Sequence, residues 1–304
     1  MTSMLDKPVK GSTFGKLSLR RRLANDAATV LVSLSVVVAI VPLVWVLYST
    51  ISKGIGVVTS ATWWQNSQAG MTAFAPGGGA YHAIVGTLLQ GLVCSAISIP
   101  IGVFVGIYLV EYGGGTRLGK LTTFMVDILT GVPSIVAALF IYALWVATLG
   151  FQRSGFAVAL ALVLLMIPVI VRSTEEMLRI VPMDLREASY ALGVPKWKTI
   201  ARIVIPTALS GIVTGIMLAL ARVMGETAPL LILVGYSQAI NFDMFNGFQG
   251  SLPGMMFDQV SAGGAGNPVT SDRLWGAALT LVILVAVLNV GARFVAKFFA
   301  PKMV

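Results

Sequence analysis

Arg172–Pro206, RSTEEMLRIVPMDLREASYALGVPKWKTIARIVIP, is the stretch on which the reading of this chain turns. It is too polar to cross a membrane, yet apolar runs flank it, Gly155–Val171 before and Thr207–Val234 after. It is also too patterned for a linker. Met183–Leu192 is expected to form a short helix in which Leu185, Ala188 and Leu192 share one face. Pro182 suits the start of that helix and Gly193 a left-handed stop. A second helix from about Pro195 sets Lys196, Lys198 and Arg202 opposite Trp197, Ile200, Ile203 and Val204, and Pro206 leads into the next apolar run. A short helix across the chain path, with a small-residue face, suits docking into a groove on another protein.

Outward from this loop the composition leaves little choice of solvent. The 304 residues are 57% hydrophobic and 11% charged, with a mean hydropathy of +0.88. Soluble domains carry roughly a quarter charged residues, so the surplus apolar surface is expected to face lipid. Crossing a hydrocarbon core of about 30 Å takes about 20 apolar residues in a helix. Six stretches fit: Ala27–Tyr48, Ala83–Val110, Leu121–Leu149, Gly155–Val171, Thr207–Val234 and Leu274–Val295, the fourth being the shortest. The fold class is therefore all-α and integral to the membrane. The first run follows Arg20-Arg21-Arg22 like a signal peptide. It is too long for one, and no small-x-small cleavage site follows Tyr48, so it is expected to stay as a helix.

The net charge of +9 and pI near 9.9 do not point to nucleic acid, since no basic stretch outside the apolar runs is interleaved with aromatics. They fit loops held on the cytoplasmic side. With both termini inside, the cytoplasmic segments hold six Lys/Arg in 1–26, two in 111–120, six in 172–206 and three in 293–304; the outer loops hold Lys53, Arg153 and Arg273. The expected organisation is a cytoplasmic tail 1–26, a membrane domain 27–299 with outer loops 49–82 and 235–273, and a cytoplasmic end 300–304. Phe242, Phe245, Phe248, Met255, Met256 and Phe257 of the second outer loop suit the membrane interface, a short helix closing a pore, or a docking surface. The lone Cys94 excludes an internal disulfide, and with the lone His82 it offers no zinc cluster.

Gly114-x-x-x-x-Gly119-Lys120 looks like a phosphate-binding loop, but Leu121 stands where a Ser or Thr must hold magnesium, and no soluble strand precedes it. The chain is expected to hydrolyse nothing itself. Gly102-x-x-x-Gly106 and Gly211-x-x-x-Gly215 suit close helix packing, while Pro100, Pro133, Pro168 and Pro229 interrupt apolar runs.

Charges at membrane depth cost a few kcal/mol each even on lenient scales. Arg222 and Glu226 lie in the Thr207–Val234 run at i, i+4, where the two side chains share a face and can pair. One reading is a self-neutralising structural pair. The other is an oxyanion path, with the guanidinium fork meeting phosphate oxygens and the carboxylate accepting the proton that hydrogen phosphate carries and sulfate lacks. Asp127 either lines an exit or pairs with Lys120, the pairing being the expected one.

Glu187-Ala188-Ser189-x-x-x-Gly193, nine residues, then Ile203-x-Ile205-Pro206 resembles the EAA-x3-G-x9-I-x-L-P pattern of ABC importer permeases, with Ser189 for the second Ala and Ile205 for Leu. That resemblance implies a six-helix type I importer permease fold with a cytoplasmic coupling helix seated in a cleft of an ATPase. Glu187, Ala188, Ser189, Gly193, Ile203 and Pro206 would be its coupling residues. ATP and magnesium would then bind the ATPase, leaving no cofactor in this chain. Ala221-Arg222-x-x-Gly225-Glu226-Thr227-Ala228-Pro229-Leu230-Leu231, Gly131-Val132-Pro133-Ser134 and Leu252-Pro253 resemble permeases of the PstA phosphate type. This implies a phosphate path touching Arg222, Glu226, Thr227, Ser134 and Asp127, and an alternating-access cycle driven by ATP. The implied partners are a PstC-type permease, a PstB-type ATPase dimer, a PstS-type external receptor and membrane lipid. A permease for another oxyanion or small solute, and an ion-coupled carrier or channel, remain as alternatives.

Overall fold

In lipid every backbone N–H and C=O must find its partner within the chain, which favours helices. The computed structural model describes residues 18–299, and among them every regular element is helical. Most of the expected tail (1–17) and the expected end (300–304) lie outside the described residues.

The chain divides into two units, one up to Ser49 and one from Thr50 on. The first is occupied by most of helix α1 (Leu19–Val58), which carries apolar side chains all round and Pro42 within it. The second continues with α2 (Ala61–Gln65), then α3 (Tyr81–Ile107), which widens into a π-turn at Tyr108–Tyr112. Next come α4 (Arg117–Thr130), α5 (Ser134–Ile141) with a second π-turn at Tyr142–Thr148, and α6 (Gly155–Ile180). The loop helix α7 (Met183–Ala191) precedes α8 (Lys196–Thr199), which runs through a π-turn at Ile200–Val204 into α9 (Ile205–Met224). The chain closes with α10 (Ala228–Leu233), α11 (Leu252–Ser261) and α12 (Pro268–Phe299).

Helix α6 is the centre of the second unit. Its most apolar window is 67% buried, against 22% for α12. Lipid tails are as apolar as Leu, so helices associate here by close approach rather than by escaping water. The glycines supply that approach. A Cβ on Gly102 would lie 2.6 Å from Ile170 Cγ2, and one on Gly106 2.8 Å from Thr174 Cβ, which seats α3 against α6. Gly211 and Gly215 face Met177 and Ser173 in the same way and seat α9 on a neighbouring face of α6, beside α3. The shared core gathers Cys94, Ala138, Met166, Ile170, Val223 and Leu233.

The spans differ from the sequence expectation in three places. The Leu121–Leu149 run is broken at Gly131–Pro133, and its two halves, Arg117–Thr130 and Ser134–Thr148, meet at 107°. Pro133 has no N–H to continue the ladder and holds an extended backbone (φ −61°, ψ 141°). Helix α6 is not the shortest span but continues nine residues past Val171, because its added charges neutralise one another. Arg172 Nη1 meets Glu175 Oε2 at 2.7 Å and Arg179 Nη2 meets Glu175 Oε1 at 2.5 Å. The fifth span starts early, at Lys196, and passes through a π-turn at Ile200–Val204 and then Pro206, which stands in the first turn of α9 where a missing N–H is tolerated. That span ends early as well, at Met224.

The two loops expected outside are shortened by helix and tied down by side chains. Buried Trp63 donates to Thr280 Oγ1 at 2.8 Å, and Arg273 donates to the carbonyls of Ala75 at 2.6 Å and Gly77 at 2.9 Å. In the second loop the short helix α11 buries Met255 and leaves Phe257 exposed. Phe242, Phe245 and Phe248 before it are also exposed.

Candidate functional site

Most of the expected site residues fall in two places: the loop between α6 and α9, and the end of α9. Helix α7 starts after Pro182 (φ −55°) and stops at Gly193, whose φ of +73° is the left-handed conformation expected of it. Leu185, Glu187, Ala188, Tyr190 and Leu192 are exposed, whereas Arg186 and Ser189 are buried. The exposed face therefore contains the expected Leu185, Ala188 and Leu192, together with Glu187. Ser189 belongs to the opposite face, where its hydroxyl meets Thr199 Oγ1 at 2.8 Å. Among the expected docking residues it holds the loop rather than presenting it. Ile203 and Pro206 are half-buried in the helical stem that becomes α9.

Sequence reasoning missed Arg186. Its Nη1 donates to Val181 O at 2.9 Å, and its Nη2 donates to Leu178 O at 2.9 Å and to Glu111 Oε1 at 3.0 Å. No sequence signal joins residues so far apart along the chain. The Gly114–Lys120 stretch is a turn capped by Thr116, whose Oγ1 accepts from Gly119 N at 2.9 Å, and α4 begins inside it.

The structure decides against the reading of Arg222 and Glu226 as a self-neutralising pair. Among the described residues the two form no ion pair, because α9 ends between them. Gly225 N and Glu226 N turn back to Arg222 O and Val223 O, both at 3.2 Å, so the i, i+4 alignment is lost. Arg222 lies exposed in the last turn of α9, where a cation also complements the helix dipole. Glu226 is half-buried in a small cleft with Thr87, Gln90, Ser251 and Pro253. Thr227 sits at the cap of α10, and Ser134 opens α5, which packs on α10.

Asp127 pairs with Arg172 of α6 and not with Lys120. Lys120 is seven residues back, about 10 Å along the axis, while Arg172 reaches across from the neighbouring helix. Asp127 is thus tied into the Arg172–Glu175–Arg179 chain of charges.

Comparison with known proteins agrees with this geometry. Residues 98–304 match the family described as binding-protein-dependent transport system inner membrane component. The phosphate transport system permease protein PstA 1 of Mycobacterium tuberculosis is 56% identical over 98% of this chain and 96% of its own length. The PstA proteins of Mycobacterium leprae and Yersinia pestis are 54% and 39% identical, over 98% and 93% of this chain and 96% and 92% of their own lengths. Among solved structures, a bacterial ABC transporter importing the polysaccharide alginate superposes with a TM-score of 0.60 at 10% identity, over 92% of this chain and 98% of its own. The inward-facing MetNI methionine ABC transporter gives 0.54 at 20%, over 73% and 94%. These likenesses are of fold. Fold and sequence agree, and the chain belongs to the binding-protein-dependent transport system inner membrane components, within the PstA permeases.

Proposed function

We propose that this permease carries inorganic phosphate across the bacterial inner membrane as one half of a path shared with a PstC-type permease. A PstB-type ATPase dimer binds ATP and magnesium and drives the path through α7, and a PstS-type receptor delivers phosphate from outside. Both termini lie in the cytoplasm in this reading.

The observation that carries the cargo assignment is Arg222, an exposed guanidinium in the last turn of an apolar span. Such a charge at membrane depth calls for a watery path or a partner subunit beside it. Its planar donors match phosphate oxygens. With the intrahelical pair absent, Arg222 and Glu226 are each free to meet an anion, one as donor and the other as acceptor for the proton of hydrogen phosphate. The exposed face of α7, with Glu187 and Ala188, supports the link to the ATPase. Labelled phosphate uptake by proteoliposomes holding the full complex tests the reading. Arg222→Gln is expected to lower uptake at least tenfold, and undiminished uptake would remove Arg222 from the path.

A further inference from the structure

Chain connectivity ties the docking helix α7 to α6 on one side and to α8 and α9 on the other. It does not tie α7 to α3. One side-chain contact does, and two more tie the following helix α8 to the same place. The buried ion pair from Arg186 to Glu111 Oε1, at 3.0 Å, leaves only 9% and 6% of the two side chains exposed. The amine of Lys196 donates to the carbonyl of the same Glu111 and lies 4.7 Å over the ring of Tyr112. Glu111 and Tyr112 form the end of the π-turn that closes α3.

We infer that Arg186 and Glu111 are a positioning clamp, which makes α7 and the C-terminal end of α3 move as one body when the ATPase displaces α7. The inference rests on the reading of α7 as the ATPase-docking helix. The guanidinium spends its donors on three fixed acceptors, Val181 O, Leu178 O and Glu111 Oε1, so its orientation is set by a planar fork and not by a single flexible contact. A buried pair of this kind resists opening, because separation leaves a charge unpaired out of water. Helix α3 can pass the movement on. It is locked to α6 at Gly102 and Gly106, and near its other end Thr87 and Gln90 line the cleft that holds Glu226. The clamp therefore connects the docking surface to the cleft along a helix that the chain itself does not join to α7.

The test uses the whole complex in proteoliposomes, with phosphate uptake and ATP hydrolysis measured on the same vesicles. Arg186→Met and Glu111→Ala are each expected to retain the ATPase in wild-type proportion and to hydrolyse ATP, while phosphate moved per ATP falls at least tenfold. The double variant is expected to be no worse than either single one. Glu111→Gln, whose side-chain oxygen still accepts from the guanidinium, is expected to keep at least a third of the coupling. A wild-type ratio in the single variants, additive losses in the double, or loss of the ATPase from the complex would each overturn the clamp. A wild-type complex that fails to hold the ATPase would instead sink the docking reading and the clamp with it.

Discussion

At the scale of single residues, Gly193 and Glu226 give the cleanest expectations. Gly193 has φ +73°, and a Cβ there would meet no neighbouring atom within 4 Å, so a substitution tests backbone strain alone. An L-residue in the left-handed region costs roughly 1–2 kcal/mol, and Asn bears it best. Gly193→Ala is expected to weaken retention of the ATPase several-fold on purification, and Gly193→Asn to weaken it less. Glu226→Gln removes the carboxylate that, in the proposed path, repels sulfate and accepts from hydrogen phosphate. Its phosphate uptake is expected to become inhibitable by excess sulfate, whereas unchanged discrimination would take Glu226 out of the filter. The helix α7, its stop and its exposed face were legible in the sequence, since Gly193 and the spacing of Leu185, Ala188 and Leu192 are local signals. The separation of Arg222 from Glu226 was not legible. Pairing them at i, i+4 assumed that the helix continued, and Gly225 ends it. Arg186 stayed hidden because its partner is a tertiary neighbour.

At the scale of helices, the α3–α6 contact should be the least tolerant of added volume. Packing density, not escape from water, holds helices together in lipid. A side chain at Gly102 would press on the branched carbons of Ile170, 2.6 and 2.7 Å from the first added atom. Overpacking of this kind costs about 1–3 kcal/mol. Gly102→Leu is expected to unfold at lower denaturant in detergent than wild type, by about that free energy. Gly291→Leu on α12, which meets nothing within 4 Å, shares the change in helix propensity and serves as the control. Apolar length made the spans readable, and Pro133 marked the weak point of the third. The extent of α6 was not readable from hydropathy, since Arg172, Glu175 and Arg179 look like loop until their pairing is seen.

At the scale of the molecule, the bent pair α4–α5 decides the topology, because it either crosses the membrane once or returns to the side it came from. If it returned, the segment 172–206 and the C-terminal end would fall on the side opposite 1–26, and the Lys/Arg outside the spans would divide ten and ten. Such a balance gives no orienting signal. If it crosses, seventeen lie inside and Lys53, Arg153 and Arg273 outside. The Glu111–Arg186 contact argues for crossing. It brings the turn before α4 to the same end of the unit as the far end of α6. Helix α6, at 26 residues, is about 39 Å long. The chain from α4 through α5 and the Tyr142–Thr148 turn must therefore travel the length of α6 to reach its start, despite the 107° bend. Single cysteines at Gly114 and Leu192, both exposed, are expected to react with a membrane-impermeant maleimide from the cytoplasmic side. One at Phe245 is expected to react from the other side, with buried Cys94 left unlabelled. Labelling of the Gly114 and Leu192 positions from opposite sides would mean that the pair returns, and would overturn the six-span arrangement.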